Sequence, residues 1–222
     1  MQKTIIDLWD RHWLDRIIDS LKVIDPDTIK KNVRKEREMY PNADNSTIAE
    51  NLIFEKAVWA AGVGLLSGSV SVPAASFLAD FFQTTPLLIQ LCYEISHIYG
   101  NDLKSSEEKG EILAVFGLAF GTNTLTALGL GFLSKNIPAP TGLIDATTNL
   151  VMFFATGYAA REFFALPETQ RQQILTVPAE FQKFQGEVRE YVQTLVSDKE
   201  SINRILAQAL ETSKKLSLQP AN

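Results

Sequence analysis

The sequence predicts an all-α fold, a multi-helix bundle with Gly/Ala-rich apolar helices or hairpins at its centre and charged amphipathic helices at both ends. No stretch shows the alternation of apolar and polar residues that is typical of a half-buried strand. Apolar residues are concentrated between Ala57 and Leu166, whereas both ends of the chain are strongly charged. We therefore expect N-terminal amphipathic helices over residues 1–45, an apolar helical core over 46–166, and C-terminal amphipathic helices over 167–222.

The composition argues against several classes of function. The net charge is −5, and an acidic chain lacks the basic surface with which proteins neutralise nucleic-acid phosphates. Cys92 is the single cysteine, so the chain can form neither an internal disulfide nor a cysteine-based zinc site. The first residues carry no basic segment followed by an apolar one. We therefore expect no cleaved signal peptide and a protein that faces the cytoplasm.

An amphipathic helix is predicted from about Thr4 to Val23, because apolar residues recur every four positions from Ile5 to Ile17. Trp9 and Trp13 lie on this apolar stripe and are candidates for contact with lipid head groups. Docking of the stripe onto the helical core is the more ordinary explanation, since the polar side of the helix is not basic.

A second helix is predicted over Asp27–Met39 and a third from Ile48 onward. Thr47 and Glu50 have the spacing of a capping box, in which each side chain accepts a hydrogen bond from a backbone N–H at the start of the helix. The third helix then continues into an apolar segment rich in glycine and alanine.

Two uncharged apolar runs, Ala57–Ala79 and Ile112–Ser134, are long enough to cross a bilayer. Pro73 interrupts the first run and Gly121 the second, so short helices or hairpins are the alternative. Glycines at positions 62, 64 and 68 predict the close approach of another helix, as small residues allow in membranes. The candidates for membrane contact in these runs are Trp59, Leu118 and Leu128.

The stretch Val72–Gly100 is expected to organise the rest of the chain. Pro73 is suited to the first position of a helix, Thr85-Pro86 restarts or kinks that helix, and Gly100 is suited to end it. A further helix is predicted over Leu143–Phe164. The tail, Ala179–Leu216, has the pattern of two charged amphipathic helices separated near Ser197-Asp198.

Several segments, taken in order, resemble the EcsC family. They are Tyr40-Pro41 with Ile48-Ala49, Pro73 with Asp80, Ile98–Asp102, Lys135–Pro138 with Gly142 and Asn149, and Gly157–Phe164. The resemblance covers about residues 38–166, with fewer glycines around Val72 and Pro140 than the family usually has. It implies a bacterial, membrane-associated helical protein, in some cases encoded beside an ABC transporter, without an established catalytic activity.

Catalytic and metal-binding patterns are weak in this sequence. Glu94 and His97 have the Glu-x-x-His spacing of di-iron bundles, but a second such pair is absent. A hydrolytic set could be assembled from Ser67 or Ser76 with His97 and Asp80, but it lacks a Gly-x-Ser-x-Gly elbow. We therefore predict no catalytic residues, no metal site and no cofactor.

A small group of residues forms the weak candidates for a binding site. Asp80, Asp145 and Asn149 lie in or beside apolar helices, where an unpaired charge costs several kcal/mol. They are either solvated near helix starts or face a polar cleft between the helices. The complete set of binding candidates is Pro73, Asp80, His97, Tyr99, Asp145 and Asn149.

Three functions are carried forward from the sequence. The first is a non-enzymatic, membrane-associated scaffold or accessory protein that binds lipid, an integral membrane complex, or both. The second is a soluble helical domain that encloses a lipid or another apolar ligand. A hydrolase ranks last. Nucleic acid is not expected as a partner, and oligomer formation is left open.

Overall fold

The computed structural model describes residues 18–67, 73–101, 106–120 and 141–217. All regular structure in these ranges is helical and none of it is strand, which confirms the predicted all-α class. Trp9, Trp13 and Leu128 lie outside the described residues. Helical residues 18–23 are followed by α1 (Pro26–Met39), α2 (Asn45–Ser67), α3 (Pro73–Ile98), α4 (Ser106–Phe120), α5 (Thr141–Phe164), α6 (Glu168–Thr176), α7 (Pro178–Ser197) and α8 (Lys199–Ser217).

Helices α2 and α5 form the centre of the bundle. Apolar residues are spread around both helices rather than gathered on one side, which is typical of helices buried from several directions. The two helices run antiparallel and share the most extensive helix–helix contact among the described elements. Helix α8 packs on another side of α2, while α3, α4 and α7 pack against α5.

The contact between α2 and α5 depends on small residues. A Cβ atom at Gly64 would lie 2.8 Å from the backbone nitrogen of Ala146, and one at Gly157 would lie 2.5 Å from Cγ1 of Ile53. Gly62 faces α8 in the same way, 3.0 Å from the carbonyl oxygen of Ala209. The predicted close approach is therefore confirmed at the two glycines of α2 that are described in full.

Polar residues at the helix ends fix where the elements begin. Asp25 caps α1 by accepting the backbone N–H groups of Asp27 and Thr28 at 3.1 and 3.2 Å. Asp44 does the same for α2, accepting the Thr47 N–H at 2.8 Å. The predicted capping box of Thr47 and Glu50 is wrong, because α2 begins three residues earlier and Asp44 takes the capping role.

Helix α3 begins at Pro73, as predicted, and continues through Pro86 without a restart. It ends at Ile98 and is followed by Gly100, whose φ of +89° is a left-handed conformation that favours glycine. The N–H of Asn101 then donates to the Ser96 carbonyl at 3.2 Å, which satisfies an end group of the helix. Both predicted ends of this organising segment are confirmed.

The C-terminal helices cover the apolar centre. Helix α7 presents buried residues at every fourth position, Phe184, Val188, Val192 and Val196. Asp198 separates it from α8, confirming the predicted break, and accepts the Ser201 N–H at 3.0 Å. Helix α6, between Pro167 and Pro178, is an element that the sequence pattern did not predict.

None of the described helices combines the length and the apolar character needed to cross a bilayer.

Candidate functional site

A cleft of about 610 Å³ opens beside α2 and is the candidate site. It is bounded by α1, α2 and α3, with contributions from α5 and α8. We call it the aromatic cleft because four aromatic side chains line it. Its lining residues are Glu36, Tyr40, Asn51, Phe54, Glu55, Lys56, Val58, Trp59, Leu87, Gln90, Phe153 and Thr212.

Helical geometry explains why α2 supplies much of the lining. Residues three, four, seven and eight positions apart share one face of a helix, and positions 51, 54, 55, 58 and 59 satisfy this spacing. Trp59 is 40% exposed and Phe54 is 39% exposed, and Tyr40 beyond the end of α1 is 44% exposed. Contiguous exposed apolar side chains often mark a binding surface.

The base of the cleft is an ion pair between α2 and α3. Glu94 is completely buried, and one of its carboxylate oxygens lies 3.0 Å from the Lys56 ammonium. Its other oxygen accepts hydrogen bonds from the side-chain amides of Asn32 and Gln90 at 2.7 and 2.8 Å. The carboxylate of Glu94 is therefore compensated by one cation and two amide donors from three helices.

A second acidic group lies at the junction of α1 and α2. The Glu36 side chain is buried and hydrogen-bonds with that of Glu55. Burial raises the pKa of Glu36 above its ordinary value, and the Glu55 charge and this hydrogen bond raise it further. Lys35 opposes the shift and Glu94 adds to it. A raised pKa favours the protonated form of the Glu36 carboxyl.

These four residues leave the aromatic cleft with an excess of negative charge. Lys56 is engaged by Glu94, and the ion pairs formed among the described residues provide no cation for Glu36 or Glu55. Even where Glu36 holds a proton, the exposed carboxylate of Glu55 lies at the cleft. This charge lies beside aromatic rings, an arrangement that suits a cation with an apolar body.

The sequence-predicted polar residues of α5 have other roles. Asn149 is buried, and its amide donates to the Ala60 carbonyl at 3.1 Å, joining α5 to α2. Asp145 is buried where the backbone of α5 approaches Gly64. Neither residue is part of the aromatic cleft. The side chain of Asp80, the third member of that predicted group, lies outside the described residues.

His97 and Tyr99 also lie away from the lining of the aromatic cleft. The Nδ1 atom of His97 is buried without a hydrogen-bond partner, and burial, followed by the charges of Lys30 and Arg37, lowers the pKa of this imidazole. Burial raises the pKa of Tyr99, while Arg161 opposes that shift. A lowered pKa is expected for an imidazole that is simply packed in the protein and also for one that binds a ligand. The roles of His97 and Tyr99 in binding therefore stay predictions.

The membrane-contact candidates are divided by the structure. Trp59 is exposed and lines the aromatic cleft. Leu118 is completely buried in the core. A Leu118→Arg substitution would therefore disturb the packing of the core and would not report on contact with lipid. Pro73 begins α3, but its ring, like Trp9, Trp13 and Leu128, lies outside what the structure describes.

Other buried charges in the described regions connect helices. Arg171 of α6 lies 2.8 Å from Glu111 of α4 and donates to the Leu166 carbonyl at 3.0 Å. Arg161 of α5 pairs with Glu50 of α2, and its guanidinium lies 5.2 Å from the centre of the Tyr158 ring. These groups satisfy one another across helix contacts, which identifies them as parts of the framework.

Sequence reasoning missed the acidic residues of the cleft. Glu94 was considered only as half of a metal-binding pair, and Glu36 and Glu55 were not singled out. The available signal was the position of Glu55-Lys56 and Glu94 within otherwise apolar helices. Their partners come from different helices, however, and cannot be paired by local spacing.

The described residues contain no group of three or more histidine, cysteine, aspartate or glutamate side chains arranged to hold a metal ion. Comparisons with protein-family models, curated proteins and solved structures find no match for this chain.

Proposed function

We propose that this protein is a non-enzymatic helical binding module that takes a lipid or similar amphiphile into the aromatic cleft. The observation that supports this proposal most directly is the exposure of Tyr40, Phe54 and Trp59 around one cleft. Its volume of about 610 Å³ falls within the range of roughly 300–1,000 Å³ that is common for small-molecule sites.

The lining suits a ligand with two chemically different parts. Phe54, Val58 and Leu87 offer apolar surface for a hydrocarbon body. Glu36, Glu55 and Gln90 offer polar groups for a head. Burial of apolar ligand surface contributes about 25 cal/mol per Å², while a few polar groups fix the orientation.

A membrane-associated scaffold is the second candidate. It is favoured by the same exposed aromatic side chains, which a lipid surface or an integral membrane complex could cover. The resemblance to the EcsC family remains a prediction and would place such a scaffold at the cytoplasmic face of a membrane. In this alternative the aromatic residues contact a surface, whereas in the first they surround one bound molecule.

Mass spectrometry of an organic extract separates these two roles. We expect protein purified without detergent to yield a bound amphiphile, and Trp59→Ala to reduce the recovered amount. Leu210→Ala is the matched control, since Leu210 is 47% exposed on α8 but is not part of the cleft. An empty extract from folded protein, together with Trp59-dependent flotation on lipid vesicles, would favour the scaffold and contradict amphiphile uptake.

A further inference from the structure

The charged side chains of the aromatic cleft carry more negative than positive charge. Three carboxyl groups, those of Glu36, Glu55 and Glu94, meet the ammonium group of Lys56 at the cleft, while the charge of Lys35 acts on Glu36 from outside the lining. The ammonium lies 3.0 Å from Glu94, which also receives two amide hydrogen bonds. The remaining negative charge is therefore located at the Glu36–Glu55 pair. A neutral ligand would offer this charge no counter-ion.

We propose that the head group bound by the aromatic cleft is a positively charged alkylammonium, and this inference rests on the proposed function. Charge complementarity supplies the first argument, because Glu36 and Glu55 lie at the polar part of the lining. The aromatic rings supply an independent argument, because the faces of tryptophan, tyrosine and phenylalanine attract ammonium cations. An alkyl chain then occupies the apolar surface near Leu87 and Val58.

An anionic head group is disfavoured by the same geometry. It would approach the negative charge of the Glu36–Glu55 pair, and like charges at short distance oppose binding. A neutral alcohol could contact the rings and the apolar wall but would gain nothing from the negative charge. The order of affinity expected from the cleft is therefore cation, then neutral molecule, then anion.

The test compares three probes that share a ten-carbon chain: decyltrimethylammonium and decanoate, each below its micelle-forming concentration, and 1-decanol below its solubility limit. Isothermal titration of the full chain near neutral pH measures the three dissociation constants. We expect decyltrimethylammonium to bind roughly tenfold tighter than 1-decanol, as a single cation–π and charge contact allows. Decanoate should bind more weakly than 1-decanol.

The decisive variant is Glu55→Gln, with Glu38→Gln as its matched control. Glu55 is exposed at the cleft, so the change preserves shape and does not disturb the core, while Glu38 is an exposed residue of α1 outside the lining. Both variants change the net charge equally. Glu55→Gln should reduce the preference for decyltrimethylammonium to less than about threefold, whereas Glu38→Gln should retain it.

The outcomes separate this inference from the proposed function. Binding of 1-decanol without a preference for decyltrimethylammonium would overturn the cationic head group and leave amphiphile binding intact. An equal loss of preference in Glu55→Gln and Glu38→Gln would also overturn it, because the effect would then come from net charge. Failure of all three probes to bind would overturn both proposals.

Discussion

The two faces of α2 are specified by different physical properties. Toward α5, Ile53, Ala60 and Gly64 meet backbone and side-chain atoms at distances that leave no room for a methyl group at Gly64. On the opposite face, Glu55 and Trp59 line a cleft and remain partly exposed. Close packing needs neither the charges nor the exposed ring of the second face. The difference indicates that the first face stabilises the fold and that the second is available for a ligand.

Loss of the cation beneath the cleft should have the largest effect on stability. Lys56→Met would leave the completely buried Glu94 without the ammonium that lies 3.0 Å away. Removing one partner of a buried ion pair commonly costs about 3 kcal/mol or more. We expect urea denaturation to show a decrease of roughly 3 kcal/mol in the free energy of unfolding.

Glu94→Gln is the informative comparison for that variant. The side chain of Lys56 is 19% exposed, so its ammonium can gain water when Glu94 loses its charge. The glutamine variant should therefore lose less stability than Lys56→Met. An equal decrease in the free energy of unfolding for Lys56→Met and Glu94→Gln would contradict this description of the ion pair, in which the Glu94 charge is the more deeply buried of the two.

The packed face can be tested with Gly64→Ala. The new Cβ atom would lie 2.8 Å from the Ala146 nitrogen and 2.9 Å from its Cα, so α2 and α5 must separate. Overpacking of this kind costs about 1–3 kcal/mol. We expect thermal and urea denaturation to show a net loss of roughly 2 kcal/mol, even though alanine favours a helix more than glycine does.

The control for this substitution is Gly186→Ala in α7, where a Cβ atom would meet no atom within 4 Å. Here only helix propensity changes, and the free energy of unfolding should rise by up to about 1 kcal/mol. A loss of stability at position 186 equal to that at position 64 would remove close packing as the explanation.

The cleft face should also give a pH-dependent stability difference. Burial raises the pKa of Glu36 in the folded protein above the ordinary value of 4.5, whereas the unfolded chain ionises near that value. The contribution of protonated Glu36 to stability is therefore present at lower pH and is lost as pH rises through its folded pKa. Relative to Glu36→Gln, the wild-type protein should become progressively less stable as the pH rises from the ordinary value of 4.5 through the folded pKa of Glu36.

Urea denaturation at several pH values measures this difference, and Glu38→Gln controls for the change in net charge. Its stability relative to the wild type should vary much less over the same range. A constant difference between wild type and Glu36→Gln would show that Glu36 ionises alike in the folded and unfolded states.

Local signals in the sequence predicted much of the helical framework. Pro73, Gly100 and Asp198 act through their own backbone or nearest neighbours, so the positions at which helices begin or end could be inferred. The close approach at Gly64 could be anticipated from residue size alone. Helix α6 was missed because its nine residues carry a single buried position, Ile174, and give no apolar period.

The aromatic cleft could not be predicted in the same way. Glu36, Glu55 and Glu94 come from α1, α2 and α3, and their interaction depends on how those helices pack. No local spacing in the sequence joins these three positions. Asn149 was predicted as a binding candidate because it is a polar residue in an apolar helix. In the structure its amide donates a hydrogen bond to the Ala60 carbonyl within the core, so its role is structural.

The most direct test of ligand binding by this face of α2 is the fluorescence of Trp59. In a Trp9→Phe/Trp13→Phe protein, Trp59 is the remaining tryptophan of the three in the chain. Titration with 1-decanol should shift its emission to shorter wavelength in a saturable manner, because the 40% exposed ring becomes covered. An unchanged spectrum in folded protein, at decanol concentrations approaching its solubility, would contradict a ligand site in the aromatic cleft.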